Sequence, residues 1–163
     1  DLKAFTDKAY IQLTGASLDP VLQSIKTLHR QKVWFEITHL VVPGYTDDKE
    51  NFRSMASWIY HHLGSDVPLH ISRFHPQHKL SHIPPASISF LHDLHRIAKE
   101  EGLNYAYIGN VPDHQNKAKD TFCPQCNNLI IQRKGFTTQP SGIDSSGQCS
   151  NCSKKIPGVW DSL

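Results

Sequence analysis

Four cysteines stand in two tight pairs, Cys123-Pro124-Gln125-Cys126 and Cys149-Ser150-Asn151-Cys152, and the chain has no others. Each pair places two thiolates on one knuckle turn, and two knuckles brought together supply four soft ligands at the corners of a tetrahedron around one ion. The 22 residues between the pairs can hold a short hairpin, in which Leu129 to Arg133 reads as a strand and Thr137 to Gly147 as a polar turn region. Two disulfides are the bland alternative. Paired CxxC knuckles without further cysteines fit a reduced zinc ribbon better. A four-thiolate iron–sulfur site is the lesser metal reading, because clusters more often draw on one compact run of cysteines plus a distant one. Knuckles favour glycine just after the second cysteine, where positive φ is needed. Asn127 and Ser153 stand there instead. Asn tolerates that conformation better than Ser, so strain is expected in the second knuckle, against a zinc-binding contribution on the order of 10 kcal/mol.

Eleven histidines invite a second metal hypothesis. His92 and His95 are three apart on a predicted helix, but no HExxH-type pattern accompanies them, and they read as solvated or packed. Phe52, Trp58 and Tyr60 likewise read as helix packing.

The elements that carry these groups alternate. Val33 to Val42 is rich in β-branched and aromatic residues and ends at Pro43-Gly44, as a strand does before a turn. Leu69 to Phe74 and Tyr105 to Ile108 are shorter strands of the same kind. Between them, Asp19-Pro20 reads as an N-cap followed by proline, with Leu18, Val21, Leu22, Ile25 and Leu28 on one face. Phe52, Met55, Ala56, Ile59 and Leu63 repeat that spacing up to Gly64. A third helix is predicted from about Pro85 to Glu101, with Ile88, Leu91, His95 and Ala98 inward. Strands alternating with amphipathic helices predict an α/β fold with a parallel sheet. Counting a strand ending near Asp1 to Lys3 gives about four βα units, half of a TIM-type barrel. Residues 1–112 form this part and residues 113–163 a small zinc-ribbon-like domain. Catalytic groups in such barrels sit at the carboxyl ends of the strands. Asp1 and Lys3, Pro43 to Asp47, Arg73 to His75, and Gly109-Asn110 fall there.

Composition sets limits on function. At 38% hydrophobic and 20% charged over 163 residues, the chain buries a core and is no disordered tail. A net charge of +2 is too small to argue for nucleic acid or an acidic membrane as partner. No apolar run approaches the roughly 20 residues that span a bilayer, and no signal-peptide segment is visible, so a cytoplasmic location is expected. The chain opens on Asp1-Leu2-Lys3 without a Met, and it reads as the C-terminal part of a longer enzyme.

Asp1-Leu2-Lys3-Ala4-Phe5-Thr6, Leu40-Val41-Val42-Pro43-Gly44-Tyr45-Thr46-Asp47-Asp48, Ser72-Arg73-Phe74-His75-Pro76 and Tyr107-Ile108-Gly109-Asn110-Val111-Pro112, closed by the two CxxC pairs, together resemble the radical SAM enzyme of the AmmeMemoRadiSam system. That family is similar to the activating enzymes of pyruvate formate-lyase. The resemblance implies a [4Fe-4S] cluster, held by a CxxxCxxC loop that this chain lacks, which cleaves S-adenosylmethionine to a 5′-deoxyadenosyl radical for hydrogen abstraction. It also implies that this portion alone is inactive. Asp1 and Lys3 match an Asp-x-Lys motif beside the methionyl end of the cofactor. Lys3 would pair with its carboxylate and Asp1 with its ammonium. His75 matches a histidine near the adenosine, and Asn110 falls with it at a strand end. Thr38 stands where the activating enzymes carry an arginine, so no role is carried over to it.

Two functional classes follow. The first is a radical SAM enzyme part with S-adenosylmethionine and the cluster as cofactors and zinc in its ribbon. Its substrate is unknown, a protein being one candidate, and Memo-like and AMMECR1-like proteins are the partners that the resemblance suggests. The second is a stand-alone ribbon module on an α/β scaffold, which predicts clustered basic residues and exposed aromatics around the knuckles. Only Arg133, Lys134, Lys154 and Lys155 answer the basic part. A half-barrel would also leave a sheet edge open, predicting poor solubility.

Overall fold

The computed structural model describes residues 1–112 and 118–160 and divides into two compact units, Asp1–Val111 and Pro112–Leu163. Within the first unit, polar side chains start the helices. Thr6 accepts the Ala9 N–H to begin α1 (Asp7–Thr14), and Asp48 accepts the Asn51 N–H to begin α3 (Lys49–Leu63). Helix α2 (Leu18–Arg30) begins after Ser17, whose side chain makes no capping bond, and not after Asp19; the Leu18 N–H donates to Asp7 Oδ1 at 2.9 Å instead. Leu18 and Asp19 already hold helical geometry, which leaves Pro20 one turn-step deeper than the sequence suggests, where its missing N–H still costs no helical bond. Helix α4 (Ile88–Glu100) begins after Ser87, three residues later than predicted.

Strands β1 (Ile37–Val41), β2 (Leu69–Arg73) and β3 (Ala106–Gly109) form a parallel sheet in the order β1-β2-β3, with Thr38 beside His70 and His70 beside Tyr107. The sheet has three strands, against about four βα units predicted. The Leu2 N–H donates to the Thr38 carbonyl at 2.9 Å on the outer edge of β1, but one such bond is no strand. β1 also begins four residues later than predicted, because Val33 is drawn back to the Leu28 carbonyl at the end of α2.

Period-two alternation splits the sheet into two faces. Ile37, His39 and Val41 of β1, with Leu69 and Ile71 of β2, are buried. His39 meets the Phe52 ring of α3, so this face is the one the helices cover. Phe52, Met55, Ala56, Ile59 and Leu63 of α3 and Leu91, Leu94, Ile97 and Ala98 of α4 fill the layer between. Thr38, Leu40, His70 and Ser72 lie on the opposite face and are half-buried.

In the second unit, β4 (Thr121–Phe122), β5 (Leu129–Lys134) and β6 (Thr137–Pro140) form an antiparallel sheet in that order. Thr137–Pro140 is therefore a strand where a turn was predicted, and Gly135-Phe136 makes the tight hairpin, with Gly135 at φ 57°. Ile130 and Ile156 are its fully buried apolar side chains. Among the described residues, no helix is long and apolar enough to cross a membrane.

Candidate metal centre

The two cysteine pairs come together. All four sulfurs lie within 4.8 Å of one another, with Cys123 Sγ 3.6 Å from Cys152 Sγ and Cys126 Sγ 3.6 Å from Cys149 Sγ. Sulfurs about 2.3 Å from a single tetrahedral ion stand about 3.8 Å apart, so this donor set fits one metal ion. Thiolates on a four-iron cluster each bind a different iron and would have to stand farther apart. All four are free thiols, not paired as disulfides.

The backbone builds each knuckle in the same way. The Asn127 N–H closes a turn on the Cys123 carbonyl at 2.9 Å, and the Ser153 N–H closes its counterpart on the Cys149 carbonyl at 2.8 Å. The Cys123 N–H donates to Asn128 O at 2.8 Å and the Cys149 N–H to Lys154 O at 2.9 Å. Both turns force the residue after the second cysteine into the left-handed region, Asn127 at φ 56° and Ser153 at φ 58°, as the sequence predicts.

Electrostatics are uneven. The Asn151 side chain, then the Asn128 N–H, hold the Cys126 thiol below its ordinary value. Burial opposes ionisation of Cys149, but N–H groups of Asn151 and Cys152 outweigh it and draw the thiol down to about 6. The Lys154 N–H favours a Cys152 thiolate, yet burial and the three neighbouring sulfurs push that thiol up to about 12. Four thiolates crowd one another unless a cation lies between them, so metal uptake here releases protons.

The other candidate residues form two separate pairs. Asp1 and Lys3 pair with each other, Oδ2 to Nζ 2.9 Å, in the open. His75 Nε2 lies 3.1 Å from the Asn110 carbonyl, and Asn110 Nδ2 donates to the Arg73 carbonyl at 3.3 Å. This links the ends of β2 and β3. Asn110 sits at φ 59°, a left-handed turn that re-aims the chain as it leaves β3. The segment after β1 is built around Thr46, whose hydroxyl accepts the Val42 N–H at 2.8 Å and donates to the Leu40 carbonyl at 2.9 Å. Ala4, Phe5 and Thr6 line a cavity of about 10 Å³ with His39, Tyr45 and Thr46, room for one water at most. Thr38 is half-buried at mid-strand beside His70.

His92 and His95 belong to no group of three or more metal-ligating side chains among the described residues. His95 Nε2 meets the Ala106 carbonyl at 3.1 Å, and burial first, then Lys99, lowers its pKa to about 4. The only group of three or more metal-ligating side chains gathered closely enough for one ion, among the described residues, is the cysteine tetrad. Sequence reading passed over three features. His39 is buried, with Nδ1 2.9 Å from the Leu2 carbonyl, and burial lowers its pKa to about 4. Alternation of Ile37, His39 and Val41 would have placed it inward. His70 Nε2 lies 2.5 Å from Glu36 Oε2 on the face away from the helices. Asn128 touches Cys149, and no spacing rule signals that.

No family model matches the chain. Over 157 residues, 96% of its length, it is 38% identical to an uncharacterized protein of Methanocaldococcus jannaschii, of which it spans 46%. The chain thus covers about half the length of that relative.

Proposed function

We propose that this chain is the C-terminal part of a radical SAM enzyme similar to that of the AmmeMemoRadiSam system, comprising half of a βα barrel and a zinc ribbon. One observation carries the reading. The segments that resemble the family, Val42 to Asp48, Arg73 to His75 and Gly109-Asn110, all leave the same carboxyl edge of one parallel sheet, where ligands bind in such folds. The sheet adds support. Parallel sheets are ordinarily covered on both faces by apolar layers, whereas here Thr38, His70 and Ser72 set polar groups on the second face beside Leu40 and Tyr107, a mixed face that suits the lumen of a barrel completed by further chain.

When bound, the cluster and S-adenosylmethionine supply the 5′-deoxyadenosyl radical for hydrogen abstraction, possession of which this chain's residues serve by positioning. The exposed Asp1–Lys3 pair is worth about 1 kcal/mol or less. It opens at little cost to receive a zwitterion, Lys3 taking a carboxylate and Asp1 an ammonium. His75, fixed by the Asn110 carbonyl, stands at the neighbouring strand ends for the nucleoside. In the ribbon, the sulfur spacing supports zinc over a four-iron cluster.

The test is anaerobic reconstitution of the longer protein that contains this chain, followed by an assay of reductive cleavage of S-adenosylmethionine. Formation of 5′-deoxyadenosine, reduced at least tenfold by Lys3→Ala, is the expected result. A cluster-loaded protein that forms none overturns the reading. A second reading draws on Phe136, fully exposed at the tip of the β5–β6 hairpin. An aromatic held out in this way favours a ribbon that docks on a protein, with the βα unit as scaffold. Retention of partner binding by the ribbon, lost in Phe136→Ser, would mark that role.

A further inference from the structure

The knuckles are joined by more than their sulfurs. Asn128 follows the first knuckle, and its carbonyl accepts the Cys123 N–H at 2.8 Å. Its side chain reaches the other knuckle, where Nδ2 lies 3.7 Å from Cys149 Sγ, 3.5 Å from Ser150 Oγ and 3.5 Å from Gly142 O. The first knuckle thus sends a carboxamide across to a cysteine of the second.

Gly142 makes the Asn128 crossing sterically feasible. A Cβ there would stand 2.5 Å from Asn128 Nδ2 and 2.0 Å from the Leu129 carbonyl, so any side chain would push the second knuckle away. The same glycine's carbonyl accepts the Ser150 N–H at 3.0 Å, which ties the knuckle and the amide to one anchor.

We propose that Asn128 forms a clasp that positions the two knuckles and donates an N–H group to the metal-bound Cys149 thiolate, tuning how tightly the ion is held and how reactive its sulfurs are. The inference rests on the metal reading of the tetrad and is independent of the radical SAM assignment. A dication with four thiolates carries a net charge of −2, and every N–H aimed at a sulfur disperses part of it. A sulfur with less electron density is a weaker nucleophile and is harder to oxidise. The clasp also sets both pairs in register before the ion arrives, so less ordering remains at the moment of binding.

The experiment compares the whole chain with Asn128→Asp. Asp keeps the shape but replaces a donor with an acceptor. The probes are zinc, by chelator competition, and cobalt(II), by absorption. This variant is expected to bind zinc roughly 10- to 100-fold more weakly, and to shift the sulfur-to-cobalt charge-transfer band to longer wavelength. Bound thiolates should also be alkylated faster by iodoacetamide. Asn128→Leu, which removes the donor without adding charge, must move the cobalt band the same way. Should Asn128→Asp fail to fold, Asn128→Leu carries the comparison. An unmoved band with affinity within twofold of the parent overturns the clasp while leaving the metal site standing. A parent chain that takes up neither ion overturns the metal reading and the clasp together.

Discussion

Ser153 is a non-glycine residue held at φ 58° by the second knuckle, and nothing in its side chain offsets the close approach of Cβ to the backbone. Replacing it with glycine should stabilise the metal-loaded unit by about 1 kcal/mol, read as a higher urea midpoint. Asn127→Gly should gain less, since Asn tolerates that region. Equal gains at both positions would contradict the assignment of strain to Ser153. His39 and His95 give a pH signature. Both have pKa values lowered to about 4 from 6.5, chiefly by burial. The unfolded chain therefore binds more protons between those values. Stability is complete above pH 6.5 and falls as pH drops through the window, by up to about 1.4 kcal/mol per pH unit for each histidine. A urea midpoint for the Asp1–Val111 unit that is unchanged between pH 7 and pH 5 would rule this out. At this scale the ligands were legible and their neighbours were not. CxxC spacing announces Cys123, Cys126, Cys149 and Cys152, because the chemistry is written in local sequence. Asn128 and Cys149 are brought together only by the hairpin between them.

Helices were legible where apolar spacing was strong. The five inward residues read for α3 are the five that the structure buries. Helix α1 went unread because an eight-residue helix that buries only Tyr10 has no stripe to detect. The register of α2 was misjudged because Asp19-Pro20 satisfies a capping pattern locally while the chain commits to helix two residues earlier. Packing between elements fixes one position closely. Gly102, at φ 94° just past α4, faces the Tyr60 ring of α3, whose Cε2 would lie 2.9 Å from an added Cβ. Gly102→Ala should thus cost about 1 to 3 kcal/mol, combining a left-handed backbone with an overpacked contact. Pairing it with Tyr60→Leu tests the cause, since relief of the contact should recover part of the loss. No recovery would place the whole effect in the backbone.

As a molecule, the chain has two units stabilised by different physics. The Asp1–Val111 unit buries Leu2, Phe52, Met55, Ile59, Leu69, Ile71, Leu91 and Leu94 almost completely, whereas among the described residues of the Pro112–Leu163 unit only Ile130 and Ile156 are apolar side chains so deeply placed. With so small an apolar core, the metal reading makes folding of the second unit depend on an ion in the cysteine tetrad. Chelation should collapse the dispersed amide resonances of residues 118–160 and leave those of the first unit in place. Resonances that stay dispersed in both units after zinc removal would show that the tetrad is not needed for folding. The sheet also ends in β1 and β3, and their outer edges predict concentration-dependent association of the isolated chain, measurable by sedimentation. A consequence of another kind follows from Arg133. Its backbone N–H is bound by Asp120 Oδ1 at 2.6 Å, and its guanidinium by the Lys119 carbonyl and Thr121 Oγ1, each at 2.8 Å. Tension drawn along the chain toward Ala118 therefore loads this stitch and the β4–β5 ladder before it reaches Cys123, so the metal ligands are shielded from mechanical strain arriving from the N-terminal side.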